Sequence, residues 1–392
     1  MIDIKLINKE GERHYVKVSD PMAETLKKEI AQRNDIKAER LKRMLNMPDL
    51  TRIENSPVKF IVEKILAMSE FKDFDVVEFD EIVSVRNNFD ILNAALDHPS
   101  RRETDTYYVN EDHVLRTQTT TMWTFCNDIK EIKEKFDKTG KISYLSFGKC
   151  YRKDEIDRSH FPVFHQIDGW YICKKNEKEM GIKDLENILV AIAKNLYGED
   201  IKYRVSDDTF PFTHPSLQME ILVNDNWLEI LGAGMVHDQV LKNLNIDPEI
   251  YNGWAFGFGI ERLAMINSNI PDIRVFWSND PRITSQFKDI NSKYVEVSKY
   301  PMTYRDISFI IDKNVNLNNY YEIVRDCSSD LIEEVKLLDK YDNEEKFGKD
   351  KISYTFRIVY RSAERTLTNE EVDKIQDNII EKTKQELSAI IR

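Results

Sequence analysis

Tyr151-Arg152-Lys153-Asp154, a polar loop through Ser159, and then His160-Phe161-Pro162-Val163-Phe164-His165-Gln166-Ile167-Asp168-Gly169 form the stretch that decides the reading of this chain. Two extended runs joined by such a loop make an antiparallel hairpin. Side chains of a strand alternate between faces, so Phe164, Gln166 and Asp168 point the same way at intervals of roughly 6.7 Å. That row offers an aromatic plane, an amide and a carboxylate in sequence. The first stacks on a flat heterocycle, the second hydrogen-bonds a polar linker and the third pairs with an ammonium group. Arg152, on the partner strand, presents a guanidinium fork that suits a phosphate. Taken singly, each of these residues also fits an ordinary structural part: a core phenylalanine, a satisfied buried glutamine, a surface arginine.

Around this hairpin, from Ser56 to Trp277, short strand-like runs alternate with turn signals and a few helical patterns such as Leu185 to Leu196. This texture predicts an α+β domain on an antiparallel sheet. Within it, Gly253-Trp254-Ala255-Phe256-Gly257-Phe258-Gly259 runs straight into a helix headed by Glu261-Arg262. Small residues there let a ligand approach the backbone, and an arginine at the helix start suits a terminal phosphate. Glu220 and Glu229 flank a turn expected at Asn224-Asp225, which sets them face to face across two strands. Facing carboxylates repel unless protonated or bridged, so a Mg²⁺ shared with nucleotide phosphates is one reading and a pair of solvated surface acids the other.

After Arg282 the pattern changes. Ile307–Ile311 reads as a strand, 318–332 as a helix, 335–341 and 352–360 as strands and 369–391 as a long amphipathic helix. That β-α-β-β-α order is the signature of a ferredoxin-like module. At the other end, Ile2, Ile4, Leu6, Tyr15, Val16 and Val18 around Asn8-Lys9-Glu10-Gly11 predict a hairpin, and Asp20 to Met47 a charged, solvated helix. The expected division is a 1–50 hairpin and helix extension, a 51–290 core and a 291–392 module, with the break near 285–298.

Composition narrows the class. The chain has 392 residues, 41% apolar and 32% charged, so it is long enough for two or three domains and not disordered. No apolar run approaches the roughly 20 residues needed to span a bilayer. The four cysteines form no Cys-x-x-Cys pair, which argues against a zinc knuckle and for a reducing interior. No secretory signal or organelle presequence is legible at the N-terminus, which leaves the cytoplasm, or a mitochondrial matrix reached with a presequence since removed. The net charge of −12 confines any RNA-binding face to a local patch.

Arginine-x-acid, a loop and His-x-x-x-Phe resemble motif 2 of the class II aminoacyl-tRNA synthetases, and Gly257-Phe258-Gly259-Ile260-Glu261-Arg262 resembles motif 3. Asn88 to Asn93, Asp97 to Arg101, Phe210 to Ser216, Trp227 to Met235 and Ile270 to Trp277 narrow the resemblance to phenylalanyl-tRNA synthetases of the single-chain organelle type. The tail, from Lys299-Tyr300-Pro301 through Arg365-Thr366-Leu367, resembles that family's ferredoxin-fold anticodon-binding domain. The resemblance implies a class II antiparallel sheet flanked by helices, ATP as substrate, Mg²⁺, phenylalanine and tRNA(Phe).

Residue by residue, it implies Arg152 on the α-phosphate, Arg262 on the γ-phosphate, Phe164 stacked on adenine and Glu229 on the metal, with Glu220 beside it. Ser159, His160 and Phe161 fall on the family's substrate-binding loop. Gln166 and Asp168 hold the amino end of the amino acid, and Phe210, Phe212, Ala255 and Phe256 line the side-chain pocket. Gln118, Thr120 and Trp123 stand where the family usually has His, Ser and Gln, and Asp168 where it has Glu. These departures keep open a paralogue that activates a phenylalanine analogue, alongside an inactive RNA-binding protein. Lys336, Lys340, Arg357, Arg361 and Arg365 are candidate tRNA contacts, or else solvated faces. No proline stands between Val76 and Asn88, which leads to the expectation of a monomer, and no editing domain is expected in this length.

Overall fold

In a computed structural model, residues 3–10, 13–297, 300–328, 330–362 and 364–392 are described, so Ile2 and Gly11 of the expected hairpin, and Lys299, lie outside the described residues. The chain resolves into two compact units. The first comprises 1–152, 163–270 and 287–293, the second 153–162, 271–286 and 294–392. The polar loop of the central hairpin thus packs within the second unit although the strands it joins belong to the first.

The strands of the first unit are β1 (Asp3–Glu10), β2 (Arg13–Ser19), β3 (Asp75–Phe79), β4 (Ile82–Ser84), β5 (His113–Leu115), β6 (Ile142–Tyr151), β7 (Val163–Lys174), β8 (Tyr203–Phe210), β9 (Thr213–Val223), β10 (Asn226–Val236) and β11 (Tyr251–Gly259). Nine of them form one sheet in the order β1-β2-β3-β6-β7-β11-β10-β9-β8. The sheet is antiparallel except at β3, which runs parallel to both neighbours. Long crossovers lead into and out of β3, and only such connections can join parallel strands. The expected turn at Asn224-Asp225 forms, with φ of 48° and 62°. Two successive left-handed residues make the tight turn whose twist matches a hairpin.

The N-terminal hairpin is part of this sheet, joined through the β2–β3 pairing. The segment expected as one solvated helix is two, Pro21–Gln32 and Ile36–Asn46, broken where Asp35 caps the second by accepting from the Ala38 amide at 3.0 Å. Each buries a stripe, Ala23, Leu26 and Ile30 on one and Ala38, Leu41 and Met44 on the other. Capping by a short carboxylate decides such a break against a run of good helix formers.

The second unit carries β12 (Thr303–Asp312), β13 (Ile332–Tyr341), β14 (Lys351–Tyr360) and β15 (Ile390–Ile391) in the order β13-β14-β12-β15. Helices Asn318–Ser328 and Asn369–Leu387 cover one face over a core that includes Phe309, Tyr320, Ile323, Phe356 and Ile379. Both helices are shorter than expected. The first ends at Ser328, and Ile332 already begins β13. The second stops at Ser388, whose φ of 51° is left-handed, and the chain then adds β15 beside β12.

Candidate active site

Cross-strand register builds the site from the sheet outward. One row runs Ser146 (β6), Asp168 (β7), Gly257 (β11), Gly232 (β10), Gln218 (β9) and Ser206 (β8). The next row on the same face runs Tyr144, Trp170, Ala255, Gly234 and Ser216. Glycine at the centre is required. A Cβ at Gly257 would lie 2.5 Å from Asp168 Oδ1 and 3.1 Å from Gln166 Nε2, and one at Gly232 2.6 Å from the Phe210 ring. The Gln166 amide, the Asp168 carboxylate and the Phe210 ring therefore close over the two glycines, in space that a Cβ would take.

Asp168 is 3% exposed, and its oxygens accept from the hydroxyls of Thr119 and, at 2.7 Å, Thr120. Burial pushes its carboxyl up to about 6 although both hydroxyls and the positive charge of Arg152 pull the other way. Among the described residues no cation is paired with it. Gln166 Oε1 is buried with no hydrogen-bond partner among the described residues. A carboxylate short of a cation beside an unused acceptor is what an ammonium group satisfies.

Arg152 is exposed, donates from Nε to the Thr117 carbonyl at 3.0 Å and lies over the Phe164 ring, 5.0 Å from its centroid. Arg262, in the first turn of the helix Ile260–Ser268, reaches the Glu229 carbonyl at 3.3 Å and the Glu229 carboxylate at 3.9 Å. Glu229 and Glu220 are direct cross-strand partners, as expected. A register shift between Glu229 and Leu231 returns Glu229 to the face of Gly232, where strict alternation would turn it away. Glu220 is committed elsewhere. Arg204 grips it through two bonds of 2.6 and 2.8 Å and holds its carboxyl below the usual range. Among the described residues no cluster of three His, Cys, Asp or Glu side chains exists to cage a metal. Mg²⁺ is commonly held by one or two carboxylates plus substrate phosphates. Glu229 fits that role, whereas Glu220, already neutralised, does not fit as a second ligand.

The aromatic residues expected in the pocket separate into two groups. Phe210 and Phe212 stack at 5.9 Å, Trp123 meets Phe212 edge-on at 5.8 Å, and Trp123 stacks on Trp170 at 5.2 Å. Ala255 belongs to the same cluster as the two tryptophans and Phe212. Phe256 does not join them. Period two turns it to the opposite face, where its ring covers Gly169 and meets Phe71 at 5.5 Å. Gln118 reaches the Asn88 carbonyl at 3.4 Å.

The sequence reading missed how the segment 117–121 is held. Asn88, fully buried, donates to the Thr117 hydroxyl and accepts from its amide, at 2.9 and 3.1 Å. Thr119 also went unrecognised. The threonine run Thr119-Thr120-Thr121 was its signal, since buried hydroxyls need acceptors.

In the second unit, Asp157 holds the loop carrying Ser159 and His160 by accepting from both amides, at 2.6 and 2.8 Å, and faces His160 Nδ1 at 2.7 Å. Phe161 stacks on Trp277 at 5.5 Å. Lys336 and Lys340 are exposed on β13. The three arginines expected to meet RNA already have acidic partners: Arg357 with Asp306 at 2.8 Å, Arg361 with Glu333 at 2.7 Å and Arg365 with Glu371 at 2.7 Å.

With this geometry in view, comparison with known proteins is specific. The model of the tRNA synthetase class II core domain (F) matches residues 41–287, and that of the ferredoxin-fold anticodon-binding domain matches 298–392. The chain is 38% identical to the phenylalanine–tRNA ligase, chloroplastic/mitochondrial, of Arabidopsis thaliana, over 83% of this chain and 74% of that one. It is 36% identical to the mitochondrial phenylalanine–tRNA ligase of Mus musculus, over 76% and 71% of the two chains. The phenylalanine–tRNA ligase alpha subunit of Alkaliphilus oremlandii is 41% identical, over 56% of this chain and 67% of its own. A class II core model over most of the first unit, a ferredoxin-like unit at the end of the chain and relatives that span most of its length agree: the chain belongs to the phenylalanine–tRNA ligase family of class II aminoacyl-tRNA synthetases.

Proposed function

We propose that this ligase activates phenylalanine with ATP and esterifies it to the 3′ end of tRNA(Phe), without a hydrolytic editing site. The reading is carried by the side chains gathered over Gly257 and Gly232, where a buried carboxylate and an unpartnered amide oxygen stand next to an aromatic cluster. Asp168 and Gln166 take the ammonium group, and Phe210, Phe212 and Ala255 surround the phenyl ring. Phe164 stacks on adenine, with Arg152 on the α-phosphate and Arg262 on the γ-phosphate.

The substrate carboxylate attacks the α-phosphorus in line, the α,β-bridging P–O bond breaks and pyrophosphate leaves. The terminal ribose hydroxyl of tRNA then attacks the acyl carbon and AMP departs. No covalent intermediate on the protein is needed. The two guanidinium groups neutralise charge that grows on the phosphates, and the β7 row sets the attack geometry. When bound through Glu229, Mg²⁺ supplies further neutralisation of those phosphates.

The protein is proposed to act as a monomer in a mitochondrial matrix, a reading supported by relatives that are named as mitochondrial enzymes. Amino-acid-dependent exchange of pyrophosphate into ATP, run with each standard amino acid, tests the reading. Exchange driven by phenylalanine far above the rest, with phenylalanine charged onto tRNA, is expected. Silence with phenylalanine, or a stronger response to another amino acid, would overturn it.

A further inference from the structure

His165 lies on β7 between Phe164 and Gln166, and its side chain is directed to the far face, where it is fully buried. Glu261, 2% exposed at the start of the helix that bears Arg262, meets it there. The Glu261 oxygens accept from the His165 backbone amide at 2.9 and 2.8 Å, and Oε1 faces imidazole Nδ1 at 2.6 Å. On the other side, Nε2 is 2.9 Å from the Leu50 amide nitrogen and 3.3 Å from Asp49 Oδ1. Unprotonated, Nε2 accepts from Leu50; protonated, it donates to Asp49. Two carboxylates and one ring thus tie three separate stretches of chain at a single buried point.

We infer that His165 is a positioning residue for ATP, holding the helix that carries Arg262 in fixed relation to the strand that carries Phe164. The inference rests on the proposed roles of those two residues. A sheet packed under a helix needs no ions, and apolar side chains would fill the space without desolvation cost. What an ionic tie adds is a defined angle at the helix start, and a shift of about 1 Å in a binding group costs on the order of 100-fold in rate. Burial pushes the imidazole down, but Glu261 and Asp49 more than reverse this and raise it to about 9. The other charges facing it are already engaged. Lys149, its cross-strand partner on β6, is held by Glu81 at 2.8 Å and by the Leu45 and Met47 carbonyls. Arg52 stands 4.0 Å from Asp49.

Two variants separate the links. His165→Gln keeps an amide near the place of Nε2 and loses the ring's link to Glu261, whose bonds from the backbone amide remain, while His165→Asn keeps one near Nδ1 and loses the Asp49 side. For His165→Gln the KM for ATP is expected to rise about 10-fold or more, with the KM for phenylalanine within about twofold. Calorimetry with a non-hydrolysable ATP analogue should show the same loss, and His165→Asn should fall between. Wild-type affinity for the analogue should weaken as pH rises through about 9, a limb absent from His165→Gln. An unchanged ATP constant, or ATP and phenylalanine constants rising by one common factor in folded protein, would overturn the inference. Should His165→Gln fail to fold, Asp49→Asn replaces it: a shifted alkaline limb supports the tie and an unaltered one refutes it. If Arg262→Ala binds the analogue normally, the ATP assignment falls instead.

Discussion

Asp168 concentrates the chemistry at the scale of single residues. Its carboxyl is raised to about 6, above the ordinary 3.8, so the folded protein holds that proton more tightly than the unfolded chain. The sign follows: ionised Asp168 costs stability, fully above about 6 and not at all below about 3.8. Asp168→Asn should therefore leave the ligand-free protein at least as heat-stable as wild type at pH 7.5, while phenylalanine-dependent exchange is lost. A lower Tm with exchange retained would contradict both halves. In the wild type, the KM for phenylalanine should climb as pH falls through about 6, because a neutral acid no longer attracts the ammonium group. Arg152→Ala should abolish exchange with little change in Tm, since Arg152 is exposed and its side chain is held to the Thr117 carbonyl by a single bond.

Among elements, the packing of Asp168, Gln166 and Phe210 over the sheet depends on two strands bringing glycine to the same row. Gly257→Ala would put a Cβ 2.5 Å from Asp168 Oδ1, so the carboxylate must move. We expect exchange to show a KM for phenylalanine raised by about 10-fold or more and a KM for ATP within about twofold, in keeping with the cost of displacing a binding group. In the second unit the helix Asn369–Leu387 begins with a reciprocal cap between Thr368 and Glu371. Thr368→Ala should lower stability by about 1 kcal/mol in denaturant melts and leave exchange untouched. Period two and turn chemistry made the β6–β7 and β9–β10 hairpins, the acid pair across the second of them and the helix start at Arg262 legible beforehand. Phe256 was misplaced because the motif was carried over without its alternation. The 318–332 and 369–391 helices were overextended because apolar spacing does not register where a backbone turns left-handed or re-enters a sheet.

On the scale of the whole molecule, a protein of net charge −12 must meet tRNA through local positive surface. Arg361 is a poor probe of that surface, because it pairs with buried Glu333, and Arg361→Glu would set two acids together in the second unit. Lys336 and Lys340 are exposed on β13, so the double change Lys336→Glu with Lys340→Glu should raise the KM for tRNA and leave pyrophosphate exchange at the wild-type rate. Equal charging by that variant at moderate salt would move the RNA face off this strand. The sequence by itself determined the α+β class, the two hairpins and the ferredoxin-like tail. These follow from local periodicity, turn residues and motif spacing, which act over a few positions. Only the tertiary structure decided which carboxylates are free and which are already paired, that Thr119 and Asn88 serve Asp168 and its segment, and that His165 is tied to both Glu261 and Asp49. Those outcomes rest on contacts between residues far apart in the chain, and whether a charge is spent or available is set by the neighbour that folding supplies.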